Sequence, residues 1–120
     1  MRKMTKIEII TRPGKLEELK EALNSIGVAG MTVSQVYGCG LQKGHTEVYR
    51  GTEYTINLLP KVKVETVVCE IPVEKVLETA QRVLKTGQIG DGKIFVYPIE
   101  NAVRIRTGEV GDIAIIDPKA

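Results

Sequence analysis

The segment GQIGDGK, which runs from Gly87 to Lys93, has the composition of an anion-binding loop. Glycines let backbone N–H groups close around an anion, and the lysine adds a positive charge. The spelling also fits the P-loop pattern G-x-x-x-x-G-K, but a P-loop continues with serine or threonine and opens a helix. Here Ile94 follows, and a strand-like run begins. We therefore predict phosphate binding outside the P-loop fold, with a plain helix-to-strand turn as the alternative.

Two arginines near the C-terminus extend the same chemistry. Arg104 and Arg106 alternate with Val103 and Ile105 in the run AVRIR. On a strand, the two guanidinium groups would point to one face. There they could bind phosphate oxygens of a ligand in the same subunit or in a neighbouring one. A solvated edge strand is the alternative interpretation.

The other candidate polar groups predict less specific chemistry. His45 is the only histidine and has no second ligand at metal-binding spacing, so we interpret it as a polar loop residue. The two glycines of Gly38–Gly40 predict either a β-bulge or a backbone wall for a ligand. Cys39 and Cys69 show no redox or metal spacing. They are predicted to be small core residues in a reducing cytoplasm.

The elements that must position these residues follow from hydrophobic periodicity. Alternating runs predict strands in KIEII, MTVSQVYGCG, KVKVETVV and KIFVYPI, and a short fifth strand in AVRIR. Helical spacing predicts one helix between Pro13 and Gly27 and another between Pro72 and Gly87. Their apolar stripes are Leu16, Leu19, Leu23 and Ile26, and then Val73, Val76, Leu77, Ala80, Val83 and Leu84. Two β-α-β halves with right-handed crossovers predict an α+β, ferredoxin-like βαββαβ fold, with an antiparallel sheet backed by two helices.

A long polar segment, GLQKGHTEVYRGTEYTINLLP, separates the second and third predicted strands and has no sustained apolar period. A two-residue turn could have closed this hairpin. A compact domain seldom keeps about 15–20 residues without regular structure unless they have a role. We predict a functional loop over about residues 40–60.

Length and charge limit the classes of protein. The 120 residues predict one domain, and a formal net charge of +2 does not favour nucleic acid or a membrane surface. No apolar run reaches the roughly 18 residues of a membrane-spanning helix, and the start MRKMTKIEII lacks a signal-peptide pattern. A domain this small would gain stability from oligomerisation.

Several motifs together resemble the PII family of nitrogen-regulatory signal proteins. They are GMTVSQVYGCGLQKGHTEVYRGTEY, PKVKVE, TGQIGDGKIFV and RIRTGE, and RPGKLEELKEAL resembles the family's first helix. The resemblance covers nearly the whole chain without gaps. It implies one PII-like domain over residues 1–120, with a protruding loop at about 40–60, a nucleotide loop at 87–93 and a C-terminal segment at 107–120.

The resemblance also implies a function. PII proteins are homotrimers that bind ATP or ADP between subunits, and 2-oxoglutarate together with magnesium and ATP. The chain would accordingly be a non-catalytic, cytoplasmic signal-transduction protein of nitrogen regulation whose loop docks onto target proteins, without direct membrane insertion. The implied targets are an ammonium channel, which would recruit the protein to the membrane, a nucleotidylyltransferase, glutamine synthetase, a nitrogenase-related enzyme or a transcription factor.

Residues that match functional positions of the family fall into three groups. Those matched to ATP or ADP binding are Thr32, Gly38, Gly40, Glu65, Val67, Gly90, Asp91, Gly92, Lys93, Arg104 and Arg106, with the two arginines supplied across the subunit interface. Gln42 matches the contact with magnesium and 2-oxoglutarate, and Lys61 matches the lysine that pairs with a 2-oxoglutarate carboxylate. Tyr54 matches the tyrosine that some members have nucleotidylated, with Tyr49 and Thr52 as alternatives nearby.

Three features depart from the family pattern. Leu41 stands where the family often has an arginine, which removes one phosphate contact and bears on the discrimination between ATP and ADP. Gly14 replaces the phenylalanine of the usual Pro-Phe-Lys, and the tail DIAIIDPKA extends past the usual end.

Two other classes of function fit the sequence less well. A low-turnover ATP-hydrolysing enzyme with the same nucleotide site would need a base and metal carboxylates near the phosphates, and Asp91 is the only carboxylate in the glycine loop. An RNA-binding module with this strand order would present stacking aromatics on its sheet. KIFVY lacks that pattern and the chain has one phenylalanine, so no nucleic-acid partner is expected.

Overall fold

The computed structural model describes residues 2–42, 48–49, 52–53 and 55–116. The strands are β1 (Met4–Thr11), β2 (Thr32–Gln42), β3 (Val48–Tyr49), β4 (Thr52–Glu53), β5 (Thr55–Val68) and β6 (Lys93–Ile99). The helices are α1 (Leu16–Ser25), which follows a 3-10 turn at Pro13–Lys15, and α2 (Val73–Leu84). A second 3-10 helix spans Gly111–Ile115.

Four of the strands form one antiparallel sheet in the order β2-β5-β1-β6. The two central strands, β1 and β5, come from different β-α-β halves, so each crossover helix lies over the same face of the sheet. The predicted α+β, ferredoxin-like fold is confirmed.

The core lies between that face and the two helices, as the alternation of side chains predicts. Ile7 and Ile9 of β1 are buried, whereas Glu8 and Ile10 are partly exposed on the opposite, open face of the sheet. Both predicted helical stripes face this core. Its fully buried members include Leu19, Leu23, Val64, Val76 and Ala80.

The β2–β5 pair continues past the rest of the sheet as a two-stranded arm. Strand β1 pairs with β5 only as far as Val62, while the β2–β5 register runs on to the pair Gln42 and Thr55. We call residues 37–42 and 55–60 the arm; six pairs at about 3.3 Å per residue give it a length of about 20 Å. The predicted loop of about 40–60 is therefore shorter, because both of its ends are strand.

The arm also corrects the prediction for the cysteines. Cys39 pairs with Leu58 in the arm and is exposed, because neither helix reaches this part of the sheet. Cys69 follows the end of β5 and is half-buried. The prediction that both are core residues is wrong.

The prediction of a fifth strand in AVRIR is also wrong. Val103 makes a single bridge with Val110, and residues 105–107 form a turn. Arg104 N–H donates to Glu109 O (2.9 Å), and Gly108 N–H donates to Arg104 O (2.7 Å). This closed loop, with Gly108 at φ +75°, uses the backbone groups that a strand would need.

The described helices are also too short and too polar for a membrane span: neither has a long enough apolar stretch to cross a bilayer.

Candidate functional site

The glycine-rich connection between α2 and β6, residues 85–92, lies against the end of β1. The β1–β6 register pairs Ile10 with Lys93, so Thr11 and Arg12 continue alongside this connection. The hydroxyl of the buried Thr11 donates to Asp91 O (2.9 Å). The end of a central strand therefore holds the loop in place.

The Asp91 carboxylate links residues of its own loop by hydrogen bonds. It accepts hydrogen bonds from the backbone N–H groups of Thr86 and Gly87, both at 2.9 Å, from the Thr86 hydroxyl, and from Arg12. The Thr86 hydroxyl, the Thr86 amide and the Arg12 guanidinium hold the pKa of Asp91 well below its usual range. This carboxylate stays ionised, and its acceptor positions are used by the protein itself.

Two cations hold the loop carbonyls from one side. Arg12 Nη2 donates to Ile89 O (2.9 Å), and Lys61 Nζ donates to Gly90 O (2.8 Å). No described peptide bond is cis, and in a trans peptide the N–H points opposite to the C=O. The N–H group of Gly90 therefore faces away from Arg12, whereas the N–H group of Asp91 donates to Gln88 O (3.4 Å) within the loop. Such an arrangement suits an anion on the other side of the loop.

Gly90 and Gly92 are required by the loop geometry. Their φ angles of +103° and +108° lie in the left-handed region. A Cβ at Gly92 would come within 1.9 Å of Ile10 O, and one at Gly90 within 3.1 Å of Arg12 Nη2. The loop touches β1 too closely for any side chain at position 92.

The residues matched to the adenosine lie on the open face of the sheet. Thr32 is directly opposite Glu65 in the β2–β5 register, and Val67 and Lys61 lie on the same face of β5. Glu65 is paired with Lys6 (3.3 Å). Glu65 and Lys61 are four residues apart, or about 13 Å along the strand. The open face thus connects the adenosine positions to the glycine loop.

Four other matched positions lie in the arm or at the start of β6. Gly38 lies at the start of the arm with Lys61 Cγ 3.4 Å from where its Cβ would be. Lys93 is the first residue of β6 and is exposed. Gly40 and Gln42 lie in β2 opposite Asn57 and Thr55. Tyr54 lies outside the described residues.

The structure separates Arg104 from Arg106, which the strand prediction had placed on one face. Arg104 donates to Ile113 O (3.2 Å), Ala114 O (3.4 Å) and Ile116 O, and its Nη1 is 3.4 Å from Glu109 Oε1. Arg106 is exposed in the turn. Arg104 therefore holds the C-terminal segment in place, and Arg106 is the more accessible of the two.

The described residues hold no group of three or more metal-binding side chains. The side chains bonded to the loop carbonyls are the cations Arg12 and Lys61, and the Asp91 carboxylate is used by the loop itself. Magnesium commonly keeps several waters and binds through the oxygens of substrate phosphates. The site is thus compatible with a magnesium ion delivered on a nucleotide.

Sequence reasoning missed Arg12, Thr11 and Thr86. Arg12 precedes Pro13 at the end of the first predicted strand, and Thr86 precedes the glycine loop. Only the β1–β6 register, which brings residues 11–12 beside 91–92, links them. Predicting the register of the first and last strands from the ferredoxin-like fold would have placed Thr11 and Arg12 beside the glycine loop.

The family described as "Nitrogen regulatory protein P-II" matches residues 4–109. A nitrogen regulatory PII-like protein of Bacillus subtilis is 56% identical over 112 residues, covering 93% of this chain and 97% of that protein. A nitrogen regulatory protein P-II of Rhodospirillum rubrum is 58% identical over 112 residues, covering 93% and 100%.

Solved structures give the same result. A B. subtilis GlnK–ATP complex superposes with a TM-score of 0.83 at 56% identity, covering 93% of this chain and 97% of the other. Arabidopsis thaliana PII bound to citrate has a TM-score of 0.75 at 40% identity, covering 94% and 92%.

Proposed function

This chain belongs to the P-II family of nitrogen regulatory proteins, and from that premise we propose that it senses ATP, ADP and 2-oxoglutarate without catalysing a reaction. The observation that carries the proposal is the glycine loop. Its carbonyls at Ile89 and Gly90 are held by Arg12 and Lys61, and the Ile89–Gly90 peptide therefore turns the Gly90 N–H toward the opposite side. A polyphosphate is the anion that fits three closely spaced glycines followed by Lys93.

The ATP complex of the 56% identical B. subtilis GlnK supports nucleotide binding. We assign the nucleotide to the open face between Thr32, Glu65 and Val67 at one end and the glycine loop with Lys93 at the other. Arg106 would reach the phosphates from a neighbouring subunit. Arg104 would join it only if the C-terminal segment released its guanidinium. Leu41 supplies no charge, so the phosphates depend on the glycine loop and these cations.

Magnesium and 2-oxoglutarate follow from the same chemistry. Magnesium would be held by the ATP phosphates together with Gln42, at the base of the loop. Lys61 already donates to Gly90 O, but an ammonium has three donors, so it could also pair with a carboxylate. The citrate bound to the Arabidopsis relative supports a carboxylate effector in this family.

A homotrimer would complete the site. The cations proposed for the phosphates are divided between the glycine loop and a turn near the C-terminus. The open face also leaves Phe95 and Tyr97 43% and 40% exposed. A neighbouring subunit packed on this face would cover these rings and bring its own arginine to the nucleotide.

The output would run through the loop that the arm carries. We propose that it docks onto targets in the cytoplasm, such as a nucleotidylyltransferase, glutamine synthetase or an ammonium channel that recruits the protein to the membrane. Tyr54, or Tyr49 or Thr52 beside it, would be the modified residue. The sequence between β2 and β5 is polar enough to be presented to a partner without disturbing the core.

A slow ATP-hydrolysing enzyme is the competing proposal. Phosphoryl transfer to water needs a group that orients the water and carboxylates that hold magnesium. The Asp91 carboxylate is taken up by Thr86, Gly87 and Arg12, which argues against such a role. Titration calorimetry with ATP, combined with a phosphate-release assay at saturating ATP, separates the two. A sensor binds ATP with almost no release, and sustained turnover would favour the enzyme.

A further inference from the structure

Arg12 is not among the residues matched to a ligand, yet its side chain spans the glycine loop. Nη1 contacts the Asp91 carboxylate and lies 3.5 Å from Thr86 Oγ1, and Nη2 donates to Ile89 O (2.9 Å). We propose that Arg12 is a positioning residue that presets the glycine loop for the nucleotide phosphates by acting through Asp91. The inference rests on the proposed nucleotide function.

The first physical reason is conformational entropy. A loop with Gly87, Gly90 and Gly92 has many accessible conformations, and ordering such a loop upon binding would reduce affinity. Arg12 bonds to both sides of Gly90, at the Ile89 carbonyl and at Asp91. This contact orders the loop before the ligand arrives.

The second reason is charge. Asp91 lies between Gly90 and Gly92, where a phosphate would bind, and an unpaired carboxylate there would repel it. Arg12 and the backbone amides of Thr86 and Gly87 offset that negative charge through their hydrogen bonds to the carboxylate. Removing Arg12 would therefore loosen the loop and leave Asp91 without its cation.

An arginine suits this position better than a lysine. The planar guanidinium presents several donors in fixed directions, so it can bind a carboxylate and a carbonyl together. A lysine at position 12 would offer one ammonium to either acceptor. Lysine should restore the charge but only part of the geometry.

Calorimetric titration of the full-length protein with ATP tests the proposal in four variants. They are Arg12→Ala, Arg12→Lys, Asp91→Asn and the double variant Arg12→Ala/Asp91→Asn. Arg2→Ala is the matched control, because it removes an arginine from an exposed ion pair with Glu70 (3.0 Å) away from the loop. Thermal melting of each variant shows whether the fold is retained.

We expect Arg12→Ala to weaken ATP roughly tenfold, the scale seen when a group that orients a ligand-binding residue is removed. Arg12→Lys should recover part of the loss, and Arg2→Ala should bind as the wild type does. In the Asp91→Asn background, removing Arg12 should cost much less, because the route through Asp91 is already lost.

Unchanged ATP affinity in Arg12→Ala would overturn the inference. So would an equal loss with and without the Asp91 carboxylate, because Arg12 would then act through Ile89 O or on the ligand itself and not through Asp91. If Arg12→Ala does not fold, a fifth variant, Arg12→Lys/Asp91→Asn, is added, and the effect of Arg12→Lys with and without the Asp91 carboxylate decides by the same comparison. A wild-type protein that fails to bind ATP would instead refute the proposed function.

Discussion

At the scale of single residues, the Asp91 carboxylate is hydrogen-bonded by its own loop and by Arg12. Four hydrogen-bond donors converge on it, from Thr86, Gly87 and Arg12. A carboxylate in a phosphate-binding loop needs this compensation, since its own charge would oppose the ligand. The backbone groups of Asp91 are also paired, its N–H with Gln88 O and its carbonyl with the Thr11 hydroxyl, so the Gly90 N–H is the loop donor that we propose for an anion.

The stability of the protein should therefore depend on pH through Asp91. The Thr86 hydroxyl, more than Arg12, holds the pKa of Asp91 far below its ordinary value of 3.8. A pKa lowered by folding gives stability that is fully present above the unfolded pKa and is lost as the pH falls toward the folded pKa. The Tm difference between wild type and Asp91→Asn should stay constant down to about pH 5 and shrink below about pH 4. Thermal melts across this range check it, and a difference independent of pH would contradict it.

The two C-terminal arginines should behave differently when replaced by alanine. Arg106→Ala should weaken ATP roughly ten- to a hundredfold, because a charge-assisted phosphate contact contributes about 1.5–3 kcal/mol, and should leave the Tm unchanged. Arg104→Ala should lower stability by roughly 1–2 kcal/mol, because the C-terminal carbonyls lose their donor. Calorimetry and thermal melting on both variants test this. The prediction is wrong if Arg106→Ala leaves ATP affinity unaltered while its fold is intact.

Residue chemistry was only partly predictable from the sequence. The sequence singles out the glycines at 90 and 92 by type and spacing, and the structure adds that both are left-handed. The contact of Arg12 with Asp91 depends on a β1–β6 register that brings together residues 79 positions apart. Such long-range contacts leave no trace in local periodicity.

At the scale of elements, the arm separates the proposed sensor from its output. Beyond Val62, the strand pairing described for the arm is that of β2 with β5, and Tyr37, Leu58 and Leu59 of the arm are exposed. Alternation in KVKVETVV predicted the central part of β5 correctly. Thr55–Pro60 lacks that alternation because no helix covers the arm. The sequence pattern therefore predicted a shorter strand than the structure has.

Deleting the arm's loop from Val48 to Thr55 should leave ATP binding intact and abolish partner capture. We expect this result because the segment contributes no residue to the described core, whereas the proposed ligands bind at the base of the arm. ATP calorimetry and a pull-down from cell extract, with full-length protein as the control, measure the two effects. Loss of ATP binding after the deletion would contradict the division between base and arm.

The turn at 105–107 shows the limit of element prediction. AVRIR has the alternation of a strand, but Gly108 at φ +75° closes a loop instead. The residue types alternate as in a strand, but the N–H and C=O groups of Arg104 pair within this loop and not with a neighbouring strand.

At the scale of the whole molecule, the divided phosphate-binding groups predict a trimer. The open sheet face, with Phe95 and Tyr97 partly exposed, is the surface we expect to be covered. Light scattering at micromolar concentration with ATP present should give three times the chain mass of 13.2 kDa. A monomer under these conditions would contradict the shared site.

Coupling between ligands is the central property of the proposed sensor. ATP would hold magnesium with its phosphates, and that magnesium, with Gln42 and Lys61, would hold 2-oxoglutarate. Linkage requires that each ligand tighten the other by the same factor. ADP lacks the terminal phosphate that helps to hold the metal.

The most direct test is the affinity for 2-oxoglutarate, measured by calorimetry with magnesium and saturating ATP and again with magnesium and saturating ADP. We expect clear binding of 2-oxoglutarate with ATP and little with ADP, and we expect Lys61→Ala to weaken the ATP-dependent binding. Equal affinity for 2-oxoglutarate in the presence of ATP and ADP would rule out the proposed coupling.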